Sequence, residues 1–383
     1  MSRSWLALVF VLACGFVLAC GFVRAQDVTV PDPPKLAFKS HYLVDFDTGA
    51  VLAQSDPDEP LPPASLTKLM TAYVVFSALH DGRIRIDDEA PISEKAWRTG
   101  GTRMFVEVGS HVKVEDLIHG MLIQSGNDAS VALAEHVAGS VPAFVELMNS
   151  RAEALGMTHS SFRNPTGLPA AGHVSTARDL ATLARALIAD FPEYYGLYSQ
   201  REYTYNGIRQ HNRNALLWRD PSVDGMKTGH TEAAGYCLVT SAQRDGMRLI
   251  AVVMGAESPK ARTQGAEQLL QYGFDAYETH KLYSAGQQIS VARVWGGDPE
   301  VTPLGLAHDL FVTIPRGYYR ALSASMDLSM QLVAPLDEGT PVGEVKVRLA
   351  GSPLSKVPLV ALSQVGEGGL WTKIVDKIDL WLE

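Results

Sequence analysis

Cysteine is scarce in this sequence: only Cys14, Cys20 and Cys237 occur in 383 residues. Cys14 and Cys20 lie in an apolar run near the N-terminus, so a chain that lost this run would keep Cys237 alone. Such a chain can form no intramolecular disulfide, and its stability must come from a hydrophobic core. Cys237 lies in the strand-like run "GYCLVTSA", which predicts a buried packing thiol.

Basic runs and metal-ligand patterns are also missing. The formal net charge is −9, and no segment alternates basic with aromatic residues, so nucleic acid is not a predicted partner. Histidines such as His111, His119, His136 and His211 do not follow the spacing of metal ligands. The sequence therefore predicts neither a metal site nor a cofactor.

Residues 1–25 contain the one long apolar run and predict an export signal. Arg3 precedes the run "WLALVFVLACGFVLACGFV", and "VRA" before Gln26 resembles a cleavage site. One alternative is an uncleaved membrane anchor, because the run is nearly long enough to span a bilayer. Another is lipid attachment at Cys14 or Cys20. The favoured interpretation is a cleaved signal on an exported protein, which suits the bacterial envelope better than a small secreted scaffold.

Residues 27–278 predict one α/β domain. Residues 40–55 alternate around the turn "DTG" and predict a hairpin, and three further strands follow Pro221. Between them, from Ser65 to about Arg219, apolar residues recur mostly at helical spacing. We therefore expect a sheet built from both ends of the segment, with a helical insert between them, followed by a helix in "SPKARTQGAEQLLQYGFDAYE".

The rest of the chain predicts two smaller units. Residues 284–366 contain short apolar runs separated by Gly, Pro and Asp, which is typical of a small all-β domain. Residues 368–383 predict an amphipathic helix whose apolar face includes Trp371 and Trp381. This helix is too short to span a bilayer, but it could lie in the membrane interface. The alternative is a helix that docks on the β domain.

Ser65 and Lys68 stand three residues apart in "PPASLTKLMTAYV" at the start of a predicted helix. Residues i and i+3 lie on the same side of a helix, about 5–6 Å apart at Cβ. A serine hydroxyl needs an adjacent base to become a nucleophile, and a lysine can be that base if burial or a second cation lowers its pKa. Taken alone, this pair is weak evidence, and a helix cap beside a surface lysine is the default interpretation.

Two further motifs favour the chemical interpretation. Ser125, Gly126 and Asn127 lie between two helical patterns, and Lys227-Thr228-Gly229 lies on a predicted strand. Gly229 leaves room for a ligand backbone to approach the strand edge. In this order and at these separations, the three motifs form the set found in penicillin-recognising serine enzymes.

The sequence resembles the low-molecular-weight penicillin-binding proteins that are D-alanyl-D-alanine carboxypeptidases. The likeness extends to segments such as "LIHGMLIQSGNDASVALAEHVAGS" and "VDGMKTGHTEAAGYCLVTSA", to the β domain and to the C-terminal tail. It implies a β-lactamase/transpeptidase-like catalytic domain with an antiparallel sheet and a helical insert. It also implies hydrolysis of the terminal D-alanine of peptidoglycan pentapeptide stems, inhibition by β-lactams, and a periplasmic protein held peripherally on the inner membrane by its C-terminal helix.

The resemblance also implies roles for individual residues. Ser65 would be the nucleophile and Lys68 its base, while Ser125 and Asn127 would relay the leaving-group proton and hold the peptide. Lys227 would keep the site cationic and help to keep Lys68 neutral. The predicted substrate-binding residues are Thr228 and Arg262 for the terminal carboxylate, with Gly229 and His230 along the same strand. The backbone N–H groups of Ser65 and His230 would form the oxyanion hole.

Two more family positions, Asp179 and Arg213, are weaker candidates, because each could instead belong to a structural ion pair. Three other functions compete with the carboxypeptidase. A β-lactamase is disfavoured, because no Glu-x-x-Leu-Asn stretch lies between Asn127 and Lys227. A D,D-endopeptidase of cross-links shares the motifs but usually lacks the β domain and the tail. A weakly active wall scaffold remains the third alternative, although all the catalytic positions are occupied.

Overall fold

The computed structural model of the protein describes residues 28–328 and 331–369. The predicted export signal and nearly all of the predicted C-terminal amphipathic helix lie outside the described residues. An α/β domain extends to the end of a helix at Ala276, and an all-β domain begins with the strand that follows directly. Within these residues no single helix is long and apolar enough to cross a membrane. The two helices Asn127–Ala138 and Val141–Ala154 reach that length and apolar composition only when taken together, and the chain bends by 85° between them.

The first domain is built around a five-stranded antiparallel sheet with the order β2-β1-β9-β8-β7. Strands from both ends of the domain therefore lie side by side, as the sequence predicts. Two small hairpins, β3–β4 and β5–β6, lie outside this sheet. The strands of the domain are β1 (Ser40–Asp45), β2 (Val51–Ser55), β3 (Glu89–Pro91), β4 (His111–Lys113), β5 (Glu202–Tyr205), β6 (Ile208–His211), β7 (Val223–Thr231), β8 (Gly235–Arg244) and β9 (Met247–Ala256).

Most of the helices among the described residues belong to the segment between β2 and β7, and only the last of these helices follows β9. Short turns of 3-10 helix at Ala64–Leu66 and Gly196–Ser199 and a turn of π-helix at Gly120–Gln124 accompany them. The helices are α1 (Thr67–His80), α2 (Glu94–Arg98), α3 (Val114–His119), α4 (Asn127–Ala138), α5 (Val141–Ala154), α6 (Ala177–Asp190), α7 (Pro192–Tyr195), α8 (Leu216–Arg219) and α9 (Pro259–Ala276).

The central sheet has a hydrophobic core on each face, because successive side chains of a strand point to opposite sides. On β9, Ile250, Val252 and Met254 join the core formed with the helical insert. The residues between them, such as Ala251 and Val253, join a second core formed with α9. Helix α1 lies inside the first core, and every residue from Thr67 to Leu79 is buried. A helix that is apolar nearly all round can be stable only in such a position.

The second domain contains ten strands, and its core is separate from those of the first domain. Its main sheet has the order β15-β17-β18-β13-β11-β16, and β10–β14 and β12–β19 form two smaller pairs. The strands are β10 (Tyr277–Tyr283), β11 (Ser290–Trp295), β12 (Gly297–Asp298), β13 (Val301–Gly305), β14 (Leu310–Pro315), β15 (Leu322–Leu328), β16 (Leu332–Val333), β17 (Pro341–Leu349), β18 (Ser352–Ala361) and β19 (Gly366–Glu367).

The junction between the domains differs from the prediction. The sequence pattern placed Tyr277 and Glu278 at the end of the last helix, but both belong to β10, which pairs with β14. The chain therefore enters the β domain directly from α9. Asp45 at the end of β1 is fully buried, and its carboxylate accepts a hydrogen bond of 2.7 Å from Thr279 on β10. The hydroxyl groups of Thr48 and Thr313 lie 2.6 Å apart beside it.

Two local predictions are confirmed. Strands β1 and β2 form the antiparallel hairpin expected at residues 40–55. Cys237 lies on β8 with no exposed surface and has the character of a packing thiol, as its apolar run indicates.

The central position of α1 makes its stability testable through Phe76. This side chain is fully buried and stacks on Tyr194 with ring centroids 5.0 Å apart. We expect Phe76→Ala to lower the free energy of unfolding of the first domain by about 3–5 kcal/mol, because it leaves a cavity. Chemical denaturation followed by tryptophan fluorescence measures this change. Val108→Ala, at a side chain that is half exposed, is the control and should stay within about 0.5 kcal/mol of the wild type.

Candidate active site

The nucleophile candidate and its base lie on one continuous helical segment. Ser65 is in the 3-10 turn Ala64–Leu66, and Lys68 is in the first turn of α1. The residue before the serine, Ala64, has a left-handed backbone with φ of 47°. This conformation is costly for a residue with a Cβ, and such residues are concentrated at functional sites. The Nζ atom of Lys68 lies 3.0 Å from the Oγ atom of Ser65, so the predicted pair is brought together.

Lys68 is fully buried, and its Nζ has three oxygen neighbours. Besides Ser65, they are Oδ1 of Asn127 and the carbonyl oxygen of Thr166, each at 2.7 Å. The amide nitrogen of Asn127 donates to the carbonyl of Gly100 at 2.7 Å, so Oδ1 is the atom that faces the lysine. A neutral amine has two N–H bonds and one lone pair. Because Asn127 Oδ1 and the Thr166 carbonyl can only accept, they take the two N–H bonds and leave the lone pair directed at Ser65.

The surroundings of Lys68 favour its neutral form. Burial lowers the pKa of Lys68 to about 7, with the negative charge of Asp128 opposing the shift and the positive charge of Arg213 adding to it. An unperturbed lysine would be protonated at neutral pH and could not accept a proton from a hydroxyl group. Near pH 7 a large fraction of Lys68 is therefore free to act as a base toward Ser65.

The second motif lies where the π-helical turn Gly120–Gln124 meets α4. Ser125 ends this turn in a left-handed conformation with φ of 68°, and Asn127 is the first residue of α4. The hydroxyl of Ser125 is buried, lines the cleft and has no hydrogen-bond partner among the residues that the structure describes. A buried hydroxyl group left in this state costs free energy, which a ligand or a bound water that bonds to it would recover.

The third motif lies on β7, the edge strand of the sheet next to the turn that carries Ser65. Gly229 comes so close to this turn that a Cβ atom there would lie 3.0 Å from the carbonyl oxygen of Pro63 and 3.2 Å from the amide nitrogen of Ser65. A Cβ atom at this position would push the turn away by a few tenths of an ångström, so glycine suits this close approach. The strand therefore places Lys227 and Thr228 beside the nucleophile, as predicted.

Lys227 lies in the interior of the site. The side chain is buried, and its Nζ donates to the carbonyl of Thr228 at 3.0 Å. Burial holds the pKa of Lys227 well below its ordinary value, and the positive charges of Lys68, Arg213 and Arg262 lower it further. Two guanidinium groups, Arg213 and Arg262, therefore lie close to Lys227 in the same site.

These elements enclose a cleft of about 410 Å³. Arg262, in the first turn of α9, is buried, and its Nε has no hydrogen-bond partner. His230 stacks on Tyr236 with ring centroids 4.0 Å apart. No carboxylate is found among the described residues that line the cleft, so it is suited to an anionic ligand. The lining residues are Ser65, Thr102, Ser125, Arg213, Thr228, Gly229, His230, Tyr236, Pro259 and Arg262.

The two weaker candidates have different positions. Arg213 lines the cleft and donates from Nε to the carbonyl of Gln124 at 3.3 Å, so it is better placed than the sequence indicated. Asp179 is buried away from the lining residues, and its carboxylate accepts from the backbone of His159 and the hydroxyl of Ser160. Asp179 therefore has a structural position, although its contacts are hydrogen bonds and not an ion pair.

Two contributors to the site were not predicted. The carboxylate of Asp128 accepts hydrogen bonds from the backbone N–H groups of Met104, Phe105 and Val106, and so holds one wall of the cleft. The second contributor is Thr166, whose carbonyl oxygen accepts a hydrogen bond from Lys68 beneath the cleft-lining residues. In the sequence, the signal that points to Asp128 is its position next to Asn127. The signal that points to Thr166 is the dipeptide Thr166-Gly167, whose composition is typical of a tight turn. In the described part of the chain, no three His, Cys, Asp or Glu side chains are grouped to hold a metal ion.

Comparison with known proteins places the chain in a family. Residues 27–258 match the family described as D-alanyl-D-alanine carboxypeptidase, and residues 277–367 match the C-terminal domain of penicillin-binding protein 5. The D-alanyl-D-alanine carboxypeptidase DacA of Escherichia coli is 43% identical over 359 residues, which is 92% of this chain and 89% of that protein.

Solved structures agree with this match. The crystal structure of penicillin-binding protein 5 from Haemophilus influenzae is 43% identical with a TM-score of 0.84, over 88% of this chain and 100% of that chain. Penicillin-binding protein D2 from Listeria monocytogenes, in its ampicillin-bound form, is 31% identical with a TM-score of 0.59, over 64% of this chain and 100% of that chain. The predicted fold class of a catalytic α/β domain followed by an all-β domain is confirmed, and the chain belongs to the D-alanyl-D-alanine carboxypeptidase family.

Proposed function

We propose that the protein is a serine D-Ala-D-Ala carboxypeptidase that removes the terminal D-alanine from peptidoglycan pentapeptide stems through an acyl-enzyme. β-Lactams would acylate the same serine. The observation that carries the proposal is the position of Ser65 Oγ, 3.0 Å from the Nζ atom of a fully buried lysine at a cleft with two arginines. Membership of the carboxypeptidase family and the ampicillin-bound relative support the substrate and the inhibitor class.

Acylation follows from the geometry. Lys68 accepts the proton of Ser65 as Oγ attacks the carbonyl carbon between the two D-alanines. The backbone N–H groups of Ser65 and His230 would stabilise the tetrahedral oxyanion. As the C–N bond breaks, the proton held by Lys68 passes through the hydroxyl of Ser125 to the amine of the departing D-alanine. Ser125 suits this relay because its hydroxyl has no other partner in the protein.

Binding of the terminal carboxylate would use the cationic side of the cleft. Thr228 offers a hydroxyl, and Arg262 offers a buried guanidinium whose Nε has no partner. Arg213 lies at the same cleft, so we add it to the carboxylate-binding residues. A guanidinium pairs well with a carboxylate because its donors match the two oxygens.

Hydrolysis of the acyl-enzyme needs a water and a base. Lys68 is neutral again after the amine has left, so it can take a proton from a water that attacks the ester. Class A β-lactamases use a glutamate to activate this water. No carboxylate lines the cleft among the described residues, which supports slow release of β-lactams and argues against a β-lactamase. The all-β domain favours a carboxypeptidase over a D,D-endopeptidase, and the complete set of acceptors around Lys68 argues against an inactive scaffold.

We propose further that the protein is exported and acts in the periplasm, peripherally bound to the inner membrane. Residues 1–25 have the composition of an export signal, and residues 368–383 can form a helix with one apolar face. The support for this part comes from the sequence pattern alone.

The nucleophile assignment is tested with Ser65→Ala. We expect this variant to lose covalent labelling by a fluorescent penicillin and to release no D-alanine from diacyl-Lys-D-Ala-D-Ala, because no hydroxyl is left to form the ester. Ser77→Ala removes a buried serine of α1, whose hydroxyl donates to the carbonyl of Tyr73, and this variant should label and turn over normally. A stable penicillin adduct on Ser65→Ala would show that the nucleophile is elsewhere. Labelling of the wild type without D-alanine release would favour the endopeptidase or the scaffold.

The base assignment is tested by the pH dependence of acylation. We expect the rate constant for acylation by benzylpenicillin to rise about tenfold per pH unit below the pKa of Lys68, which is about 7, and to level off above it. The sign follows because only the neutral amine accepts a proton. In Asp128→Asn the midpoint should move to lower pH, since the negative charge of Asp128 raises the pKa of Lys68. A rate that does not change from about pH 5 to about pH 9 would rule out Lys68 as the base.

The membrane proposal is tested by deleting residues 369–383. We expect the truncated protein to move from the membrane fraction to the soluble periplasmic fraction, because the apolar helix face is lost. Trp371→Ala combined with Trp381→Ala should have the same effect. Lys373→Ala combined with Asp376→Ala changes the polar face and is the control. A truncated protein that still sediments with membranes would place the anchor in residues 1–25.

A further inference from the structure

The loop of residues 164–173 packs directly on the segment that carries the nucleophile and its base. The carbonyl of Thr166 accepts from Lys68 Nζ at 2.7 Å, and the carbonyl of Pro165 accepts from the hydroxyl of Thr71 at 2.7 Å. Gly167 has φ of 82°, and a Cβ atom there would lie 1.8 Å from the carbonyl oxygen of Ala64, the residue before Ser65. The 164–173 loop is therefore in backbone contact with the start of the catalytic segment, and its conformation fixes where the Thr166 carbonyl points.

One side chain holds this conformation. Oδ1 of Asn164 accepts from the backbone N–H of Thr166 at 3.1 Å, from the hydroxyl of Thr166 at 2.8 Å and from the backbone N–H of Gly167 at 2.8 Å. Its Nδ2 donates to the carbonyl of Leu168 at 2.9 Å and lies 3.4 Å from Nδ1 of His173. A side-chain amide that replaces several backbone partners in this way fixes a short loop that has no regular secondary structure.

The end of the loop is tied to the same helix. Nε2 of His173 lies 2.9 Å from the hydroxyl of Thr67, the residue before Lys68. Burial lowers the pKa of His173 to about 4, so the ring is neutral at neutral pH. With Nδ1 facing the amide of Asn164, the proton of the neutral ring lies on Nε2 and is donated to Thr67. Through its contact with Asn164, His173 thus connects the end of the loop to Thr67, the residue that precedes the base.

We propose that Asn164 is a positioning residue for Lys68 that acts through the Thr166 carbonyl. The inference rests on the proposed function, in which Lys68 is the base. Two acceptors direct the lone pair of the amine toward Ser65, and the Thr166 carbonyl is the one that belongs to a loop. Asn164 holds that carbonyl in place. Without it the carbonyl turns away, one N–H of the amine is released, and the lone pair loses its fixed direction toward the hydroxyl of Ser65.

The test compares Asn164→Ala with a matched variant, Asn149→Ala. Asn149 is also a half-buried asparagine that ties irregular backbone to the core. Its Nδ2 donates to the carbonyls of Val145 and Phe162, and its Oδ1 accepts from the N–H of Phe162. It therefore holds the chain just before the 164–173 loop and makes no bond to Thr166. Both variants lose a similar set of hydrogen bonds, but only one of them should affect the base.

The readout is the acylation rate constant at saturating benzylpenicillin, per active site titrated, on the alkaline plateau of each variant's pH profile. Titration of active sites removes any effect of misfolded protein. We expect Asn164→Ala to acylate about 10- to 100-fold more slowly, as misplaced reacting groups commonly do, with unchanged noncovalent affinity for the penicillin. Its pH midpoint should move upward, because water that enters beside Lys68 solvates the ammonium. Asn149→Ala should acylate at the wild-type rate and keep the wild-type midpoint.

A conservative variant separates positioning from folding. Asn164→Asp keeps an oxygen that accepts from Thr166 and Gly167, so we expect its plateau rate to lie closer to the wild type than that of Asn164→Ala. A wild-type plateau rate for Asn164→Ala, or equal slowing in Asn149→Ala, would overturn the inference while leaving the proposed function intact. A wild-type enzyme that penicillin does not acylate would overturn the proposed function and this inference with it.

Discussion

Lys68 has no exposed surface, yet it ends in a group that water normally solvates strongly. Burying a charged ammonium is costly, whereas burying a neutral amine with its N–H groups bonded costs far less. The protein meets this constraint by surrounding Nζ with oxygen atoms from three separate places: the 3-10 turn before α1, the start of α4 and the 164–173 loop. Because the neutral form is the cheaper one to bury, the packing that stabilises the helical insert also prepares the base.

The segments on two sides of Lys68 are held in similar ways. On one side the side chain and backbone of Asn127 bond to the carbonyls of Gly100 and Thr102, and the adjacent Asp128 bonds to three backbone N–H groups. On the other side Asn164 holds the 164–173 loop. In both places polar side chains replace the hydrogen bonds that irregular backbone lacks. Irregular segments can therefore present carbonyl oxygens to Lys68 with a precision close to that of regular structure.

The sequence predicts much of this arrangement, for identifiable reasons. The alternation in the hairpin at residues 40–55 and the helical periodicity of α1, α4 and α6 are local signals, and the structure follows them. The three motifs indicate the roles of Ser65, Lys227 and their neighbours, because side-chain type and spacing are sufficient to recognise these motifs in the sequence. The helical pattern of the sequence predicts that α9 continues past Ala276. This prediction is wrong because no local signal shows that Tyr277 pairs with Pro315 of β14, which lies 38 residues later.

Other features depend on contacts between distant parts of the chain. Asn164 lies 96 residues from Lys68, and its role depends on a fold that brings them together. The sequence makes Arg213 only a weaker candidate, on the same terms as Asp179, and the fold places Arg213 alone of the two at the cleft. The lowered pKa of Lys227 depends first on its burial and then on the neighbouring basic side chains Lys68, Arg213 and Arg262, which no local pattern expresses. Long-range packing determines all three.

The distribution of charge around the cleft has a consequence for how a substrate arrives. The protein as a whole is acidic, with a formal charge of −9, while Arg213 and Arg262 line a cleft without a carboxylate among its described residues. At physiological salt, charges are screened beyond about 8 Å, so an anion meets mostly repulsive surface until it comes near this opening. There the field of the exposed Arg213 attracts it, and the low-dielectric walls strengthen that field. A peptide with a free carboxylate is thus favoured during encounter, before it forms any hydrogen bond to Thr228 or Arg262.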